Sequence, residues 1–599
     1  MSWTEPLTKV TAPANAGREP ENTEPGGDFL TIDPHSDDWH RYVGYQIYPR
    51  SFADSNADGI GDLPGVLRHV DHLERLGVDF VWMSPVYRSP MDDNGYDISD
   101  YYDIDPSFGT LSDLDDLVDA LHSRGIRLMM DLVVNHSSDE HPWFLASRSS
   151  REDPKRDWYY WRDPRPGCVG GRPGSEPNNW ASRFSGSAWE WDETTEQYYL
   201  HLFSKKQPDL NWEKPELRAE VYSMMRWWLD RGVDGFRMDV ISMLSKHPDM
   251  PDVAPAPGSP YGPGDRYYLS RPRTHEFIQE MNREVFASRP GHVLSVGETP
   301  RVTVEDAALF CDPDRGELDM VFSFEHVMVD FVAHRYDRIP LELPRLKSVM
   351  ASWQEGCGGK VWNSLYLGNH DQPRSLSRFG DDGAHRVASA KTLATVLHLH
   401  RGTPYIYQGD EIGMANAPFS SIDDFRDVEV LNFYAIEKAK ADTDMAALEA
   451  AMFERSRDQG RTPMQWDSSP AGGFSTVEPW IMVNPDFSEV NVAAQSEDPD
   501  SVMSHYIRLI ELRHADPVVT DGDFTLLLEE HPNLWCFTRT SSDGQLLVAA
   551  NFSAVVEHAE IPVDDGWSKA TVVISNMADP PRGGPSVTLR AWESVVWRR

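Results

Sequence analysis

Eight short apolar runs constrain this chain more than anything else in it. Each ends in polar or acidic residues, and stretches with helical periodicity separate them. The runs are VGYQIYP (43–49), FVWMSPV (80–86), RLMMDLVVNH (127–136), GFRMDVI (235–241), HVLSVGE (292–298), DMVFSFE (319–325), WNSLYLGNHD (362–371) and PYIYQGDEIG (404–413). Runs apolar on both faces suit strands buried in a parallel sheet, and the gaps are long enough for crossover helices. Two of the helices are read directly. Leu63, Val66, Leu67, Val70 and Leu73 form one stripe; Leu114, Leu117, Val118 and Leu121 form another, with Ser112 as N-cap and Gly125 as the stop. Eight βα units predict an α/β fold, a (β/α)8 TIM barrel, whose polar strand endings gather at the carboxyl face where such barrels place their active sites. An open doubly wound sheet is the alternative, but no GxGxxG follows the first strand.

The gap between the third and fourth runs is far longer than the rest and holds the Gly-, Pro- and Trp-rich stretch GCVGGRPGSEPNNW (167–180). It reads as an insertion domain over residues 137–208, folded across the barrel mouth and dividing the barrel into 37–136 and 209–516. From 517 to 599 short alternating runs with turn signals (FTLLLEE, LWCFTRT, LLVAANFS, ATVVISN, SVVWRR) predict a C-terminal antiparallel β-sandwich. Residues 1–36, rich in Pro, Glu, Thr and Gly, read as a flexible leader without the basic start and apolar stretch of a signal peptide.

With 56 Lys+Arg against 96 Asp+Glu the formal charge is −40, which repels phosphate backbones and anionic lipid, so nucleic acid and membrane surfaces are excluded as partners. Abundant aromatic residues (20 Trp, 21 Tyr, 24 Phe) exclude a disordered chain. No apolar run approaches the ~18 residues of a membrane span. Four scattered cysteines, with no CxxC pair, read as free thiols in a reducing compartment, hence a cytoplasmic protein, with a monomer as the default.

Asp54, Asn56, Asp58 and Asp62, spaced around Gly59, offer oxygens at every second position of one loop, as a hard cation requires. The twelfth position is Gly65, not the bidentate Glu of an EF-hand, and an Asx-rich turn without metal has the same composition.

The strand endings carry the second constellation. Asn135 and His136 close the third run, Arg237 and Asp239 the fourth, Glu298 the fifth, His370 and Asp371 the seventh. Singly, each acid reads equally well as a cap or an ion-pair partner. Three carboxylates converging on one mouth are the equipment for glycoside cleavage, in which one attacks the anomeric carbon and another protonates the leaving oxygen. Arg237, two residues before Asp239, shares its strand face and is placed to hold that carboxylate ionised. Glu298 follows Val296 and Gly297, and a dry setting there favours the proton-bearing acid.

The motifs DLVVNH (131–136), GFRMDV (235–240), GE (297–298) and LGNHD (367–371) resemble the four signature regions of the α-amylase family of glycoside hydrolases. QIYPRSFADSNADGIGDL (46–63), DDNGYDISDY (92–101), LFSKKQPDLNW (202–212), NHDQPRS and SRDQGRTPMQWD (456–467) look like its oligo-1,6-glucosidase and α-glucosidase branch. The resemblance runs from about residue 37 to the C-terminus. It implies Asp239 as nucleophile, Glu298 as acid/base and Asp371 as the carboxylate that distorts the sugar. It implies that His136 and His370 bond sugar hydroxyls, and that Asp93 and Arg457 close the pocket behind the non-reducing end, which makes an exo-acting enzyme. Tyr96 and Phe203 offer apolar faces, for which core packing is a rival reading, and Gln207 is a nearby contact. The same resemblance implies that Asp54, Asn56, Asp58, Ile60 through its carbonyl, and Asp62 bind a structural Ca2+ or Mg2+, with no organic cofactor.

Val240, directly after Asp239, looks like the α-1,6-preferring members, whereas Ala accompanies α-1,4 preference. Isomaltose, isomalto-oligosaccharides and panose are then the expected substrates, all small neutral sugars. Three alternatives are weighed. A sucrose isomerase resembles an RLDR pattern after the sixth strand, where this chain has Met328-Val329-Asp330-Phe331, without either arginine. An α-1,4-preferring maltase or sucrose-cleaving α-glucosidase is the second. A non-catalytic transporter-associated relative is the third, against which the intact acids and the lack of an apolar span both count.

Overall fold

A computed structural model describes residues 38–256, 258–356 and 361–599. The leader at 1–36 and Cys357 lie outside the described residues. Eight parallel strands close a barrel: β1 (Gly44–Ile47), β2 (Phe80–Met83), β3 (Arg127–Leu132), β4 (Gly235–Met238), β5 (Leu294–Glu298), β6 (Met320–Phe322), β7 (Trp362–Leu365) and β8 (Thr403–Tyr407), each paired with its sequence neighbour and β8 with β1. Every predicted run holds one strand. Within these largely buried strands the pleat still sorts side chains. Phe80 and Trp82 of β2 join Met129, Val296, Phe322 and Tyr405 in a cluster filling the barrel, while Val81 and Met83 pack among the surrounding helices. Gly235 is needed where β4 starts against β5, since a Cβ there would lie 2.3 Å from the carbonyl oxygen of Leu294.

The two predicted helices differ from expectation at their ends. The first is two short helices, Leu63–Arg68 and Val70–Leu76, parted at His69, whose φ of −114° breaks the helical path. The second spans Leu111–His122, and its N-cap is Thr110, not Ser112. Thr110 accepts from the backbone N–H of Asp113, whose carboxylate accepts from the N–H of Thr110, and this reciprocal box outcompetes a cap two residues further in. Gly125, at φ +72°, turns the chain three residues past the helix end.

Between β3 and β4 the chain forms a helix (Pro142–Ser149) and a three-stranded antiparallel sheet (Trp161–Arg162, Gln197–Leu200, Trp189–Asp192). Its Arg183, Phe184 and Phe203 reach the cavity at the barrel mouth. All five C-terminal runs are strands of one antiparallel sheet, which the helix Val502–Ala515 precedes. A second, two-stranded ribbon (Glu557–Glu560 with Ser586–Leu589) covers one face and was not legible in the sequence, because its exposed alternate residues leave too little apolar signal.

Candidate active site

The strand endings meet at a cavity of about 230 Å³ at the barrel mouth. Asp131 of β3 and Arg237 of β4 are register partners, and both are buried. The Arg237 guanidinium donates to Asp131 (2.8 Å) and Asp239 (2.9 Å) and lies 2.8 Å from Glu298. Asp239 follows β4 by one residue, its own N–H donating to the carbonyl of Leu132 (2.9 Å) so that the ladder continues under it. Glu298 ends β5 and accepts from the backbone N–H of Val240 (3.1 Å). That N–H points at Glu298 because Val240 adopts φ +37°, a strained conformation for a β-branched residue.

Glu298 is buried, and it faces a guanidinium and a backbone donor. The expectation that Arg237 holds Asp239 ionised is corrected at this cluster, because three carboxylates share its one charge. Burial pushes Asp239 well above the usual carboxylate range, with Glu298 and Asp131 adding to the shift against the pull of Arg237. Burial likewise pushes Asp131 up to about 6. Asp239 also shares a hydrogen bond with Glu298.

A second cluster lies beyond β7. Asp371 accepts from Arg461 (2.8 Å) and Arg457 (3.2 Å), and its carbonyl accepts from Arg335 (2.8 Å). Arg457 also donates to Asp93 (3.2 Å) and to the buried Asp427 (2.8 Å), and lies 3.4 Å from Glu429. Burial opposes ionisation of Asp371, yet the cations around it hold it well below the ordinary range. His370 stands beside it, but burial drops that imidazole to about 3 and leaves it neutral, so the arginines supply the charge. Asp427 is held low against burial in the same way, chiefly by Arg457, whereas burial takes Asp93 up to about 7.

Of the predicted residues, Asp93, Tyr96, His136, Phe203, Asp239, Val240, Glu298, Asp371 and Arg457 line the cavity. Gln207, Arg237 and His370 stand behind the wall. Gln207 donates to Asp93 (3.1 Å) and to the carbonyl of Tyr96 (3.3 Å). His370 lies between Gln46 (2.8 Å) and the Tyr96 hydroxyl (2.7 Å), which in turn donates to Asp131 (3.0 Å). His136, taken down to about 4 by burial, contacts the Tyr96 carbonyl at 3.1 Å.

Sequence reasoning missed Arg183, Phe184, Met243, Pro300, Arg335 and Glu429 in the lining. It also missed Asp427 and Lys246. Asp427 caps the helix Val428–Lys438, and an acid before that apolar run was its one signal. Lys246 is buried on Asp209 (2.7 Å) and Asn135 (2.8 Å) under the third strand ending.

In the candidate cation loop, Asp54 accepts from the backbone N–H groups of Asn56 (3.0 Å), Ala57 (2.8 Å) and Gly59 (2.9 Å) and from the Ser475 hydroxyl (2.6 Å), which fills both its oxygens. Asp62 caps the helix at Gly65 (2.7 Å) and accepts from the Ser55 hydroxyl (2.8 Å), and Asp58 accepts from the N–H of Ile60 (2.8 Å). Among the described residues no three His, Cys, Asp or Glu side chains form a metal-holding group. The donors are hard oxygens, and a cation entering here must replace one of the donors on Asp54.

Residues 46–522 match the α-amylase catalytic domain. The chain is 52% identical to an oligo-1,6-glucosidase from Parageobacillus thermoglucosidasius, over 94% of this chain and 98% of that one. Among solved structures, a trehalose-6-phosphate hydrolase from Bacillus licheniformis is 42% identical with a TM-score of 0.88, covering 94% of this chain and 99% of that one. A trehalulose synthase is 41% identical with a TM-score of 0.88, over 94% of this chain and the whole of the other.

Proposed function

Because the chain belongs to the α-amylase family of glycoside hydrolases, we infer that it is a retaining, exo-acting α-glucosidase that releases glucose from short α-glucosides and leans toward α-1,6 linkages. One observation carries this reading: Asp239 and Glu298, bonded to each other and to one guanidinium, sit in a cavity whose far wall is the Asp93–Arg457 pair. Carboxyl groups this close leave no room for the water of an inverting enzyme, so Asp239 attacks the anomeric carbon directly. Glu298 delivers the proton to the leaving oxygen and then takes one from the water that hydrolyses the glucosyl-enzyme. Asp371, kept ionised by its arginines, faces the positive charge that develops on the ring. The Asp93–Arg457 wall admits a non-reducing glucose and stops a longer chain from passing.

The linkage rests on Val240 and on the likeness to oligo-1,6-glucosidases. Glucose release from isomaltose, maltose and sucrose tests it. Faster isomaltose cleavage is expected; equal or faster maltose cleavage overturns the α-1,6 reading, and isomaltulose as the main product from sucrose replaces hydrolysis with isomerisation.

We also propose a structural Ca2+ or Mg2+ in the Asp54–Asp62 loop, supported by its run of oxygen donors. Elemental analysis should find the ion, and chelation should lower Tm with little change in kcat; an unchanged Tm and a metal-free protein overturn it. A cytoplasmic setting is our reading of the cysteines: Cys168 and Cys536 are free thiols. Among the described residues, no helix is long and apolar enough to cross a membrane.

A further inference from the structure

The leaving sugar must sit on the Glu298 side of the cavity, opposite Asp93 and Arg457, because Glu298 protonates the oxygen that departs. Two residues lining the cavity there come from different segments. Pro300 follows Glu298 by two positions, and Arg183 arrives from the insertion between β3 and β4. Neither is held by its own segment alone.

Both are tied to Asp265, in the long loop after β4. Arg183 donates to one oxygen of Asp265 (2.8 Å), and the Tyr268 hydroxyl donates to the same oxygen (2.9 Å). Arg301, next to Pro300, places a guanidinium nitrogen 2.9 Å from the other oxygen, a charge contact rather than an aligned hydrogen bond. The backbone at Arg301 is held at φ +60°, where a non-glycine residue is strained. The loop carrying Asp265 is also stapled to the insertion by Trp180, which stacks on Tyr267 at 6.0 Å. Three chain segments therefore converge on one carboxylate, close to the strand ending that carries Glu298.

We propose that Asp265 is a positioning residue for the leaving sugar: by latching Arg183 to Arg301 it sets the width and polarity of the leaving-group side without touching the reacting atoms. The proposal rests on the α-glucosidase reading above and adds the element that recognises the second sugar. A disaccharide needs both ends of the cavity. An aryl α-glucoside places the same glucose at the closed end but departs as a good leaving group that asks little of the far wall.

The experiment compares Asp265→Asn, Asp265→Ala and Arg301→Ala with wild type on p-nitrophenyl α-glucoside and on whichever of isomaltose and maltose wild type cleaves faster. The disaccharide kcat/KM should fall on the order of 10- to 100-fold, mostly through KM, while the aryl glucoside stays within about threefold. Equal losses on both substrates, or no loss on either, overturn the latch. Should the Asp265 variants fail to fold, Arg301→Ala decides alone, since that side chain is half exposed. The wild-type preference between disaccharides tests the linkage reading separately, so either proposal can fail without the other.

Discussion

Two carboxylate clusters face each other across the cavity, and they are given different numbers of cations. Around Arg237, three carboxylates (Asp131, Asp239, Glu298) share one guanidinium. Around Arg457, Asp93, Asp371, Asp427 and Glu429 share it with Arg461 and Arg335. Asp131, Asp239, Asp93 and Asp427 are buried and Asp371 is partly so, and desolvation opposes the ionisation of each. In the first cluster it wins, and Asp239 and Asp131 move up. In the second the arginines win for Asp371 and Asp427, which move down, and only Asp93 still rises. Cation count thus separates the two clusters: Asp239 and Asp131 are raised where one guanidinium is shared, and Asp371 and Asp427 stay ionised where three are present.

The largest break comes from the first cluster. Asp239→Ala removes the attacking oxygen and should lower kcat by about 10^4-fold or more, a scale set by nucleophile deletions elsewhere. Glucose release measures it, and a variant with wild-type turnover would refute the nucleophile assignment.

Removing a cation tests the second cluster. Arg457→Met leaves Asp93, Asp371 and Asp427 buried with fewer partners, a change that typically costs about 3–5 kcal/mol. In wild type, Asp371 and Asp427 are depressed in the folded state. Their stabilisation is therefore present above the unfolded carboxylate pKa of roughly 4 and is lost as pH falls through the folded values. In the variant those acids are raised instead, so the destabilisation should be greatest near neutral pH and shrink as pH falls toward ~4, where the unfolded acids also begin to take up protons. Urea unfolding of both proteins from pH 4 to 8 checks this; a pH-independent gap would show that the arginine does not set these charges. Activity should fall by about 100-fold as the closed end loses its shape.

The sequence disclosed the barrel almost completely, because eight runs apolar on both faces at crossover spacing admit few other folds. It disclosed the acids at the strand endings because chemistry at a barrel mouth requires them there. What stayed hidden depends on distant segments. Asp427 and Glu429 begin a helix that ordinary capping explains, and Arg335 and Arg183 lie in loops with no pattern of their own. The charge count around Asp239 was misjudged for the same reason: Arg237 is two residues away in sequence, but Asp131 and Glu298 reach it only across neighbouring strands. Local spacing reports which groups are present, whereas the pairing of strands decides how many acids compete for each cation.

Val240 allows the side chain to be separated from that charge count. Its backbone N–H belongs to the first cluster through Glu298, while its side chain lines the cavity. Val240→Ala keeps the N–H and removes two methyl groups, so the two functions part. The isomaltose-to-maltose ratio of kcat/KM should shift toward maltose by roughly 10- to 100-fold, the reach of ~1–3 kcal/mol in a close pocket. Stability should fall by about 1–2 kcal/mol through lost burial, since Ala keeps a Cβ and with it most of the cost of the φ +37° backbone. Both limbs of the pH profile should stay in place, since no charge has moved. A shifted pH profile with an unchanged linkage ratio would show that the side chain acts on the charges around Arg237 and not on linkage.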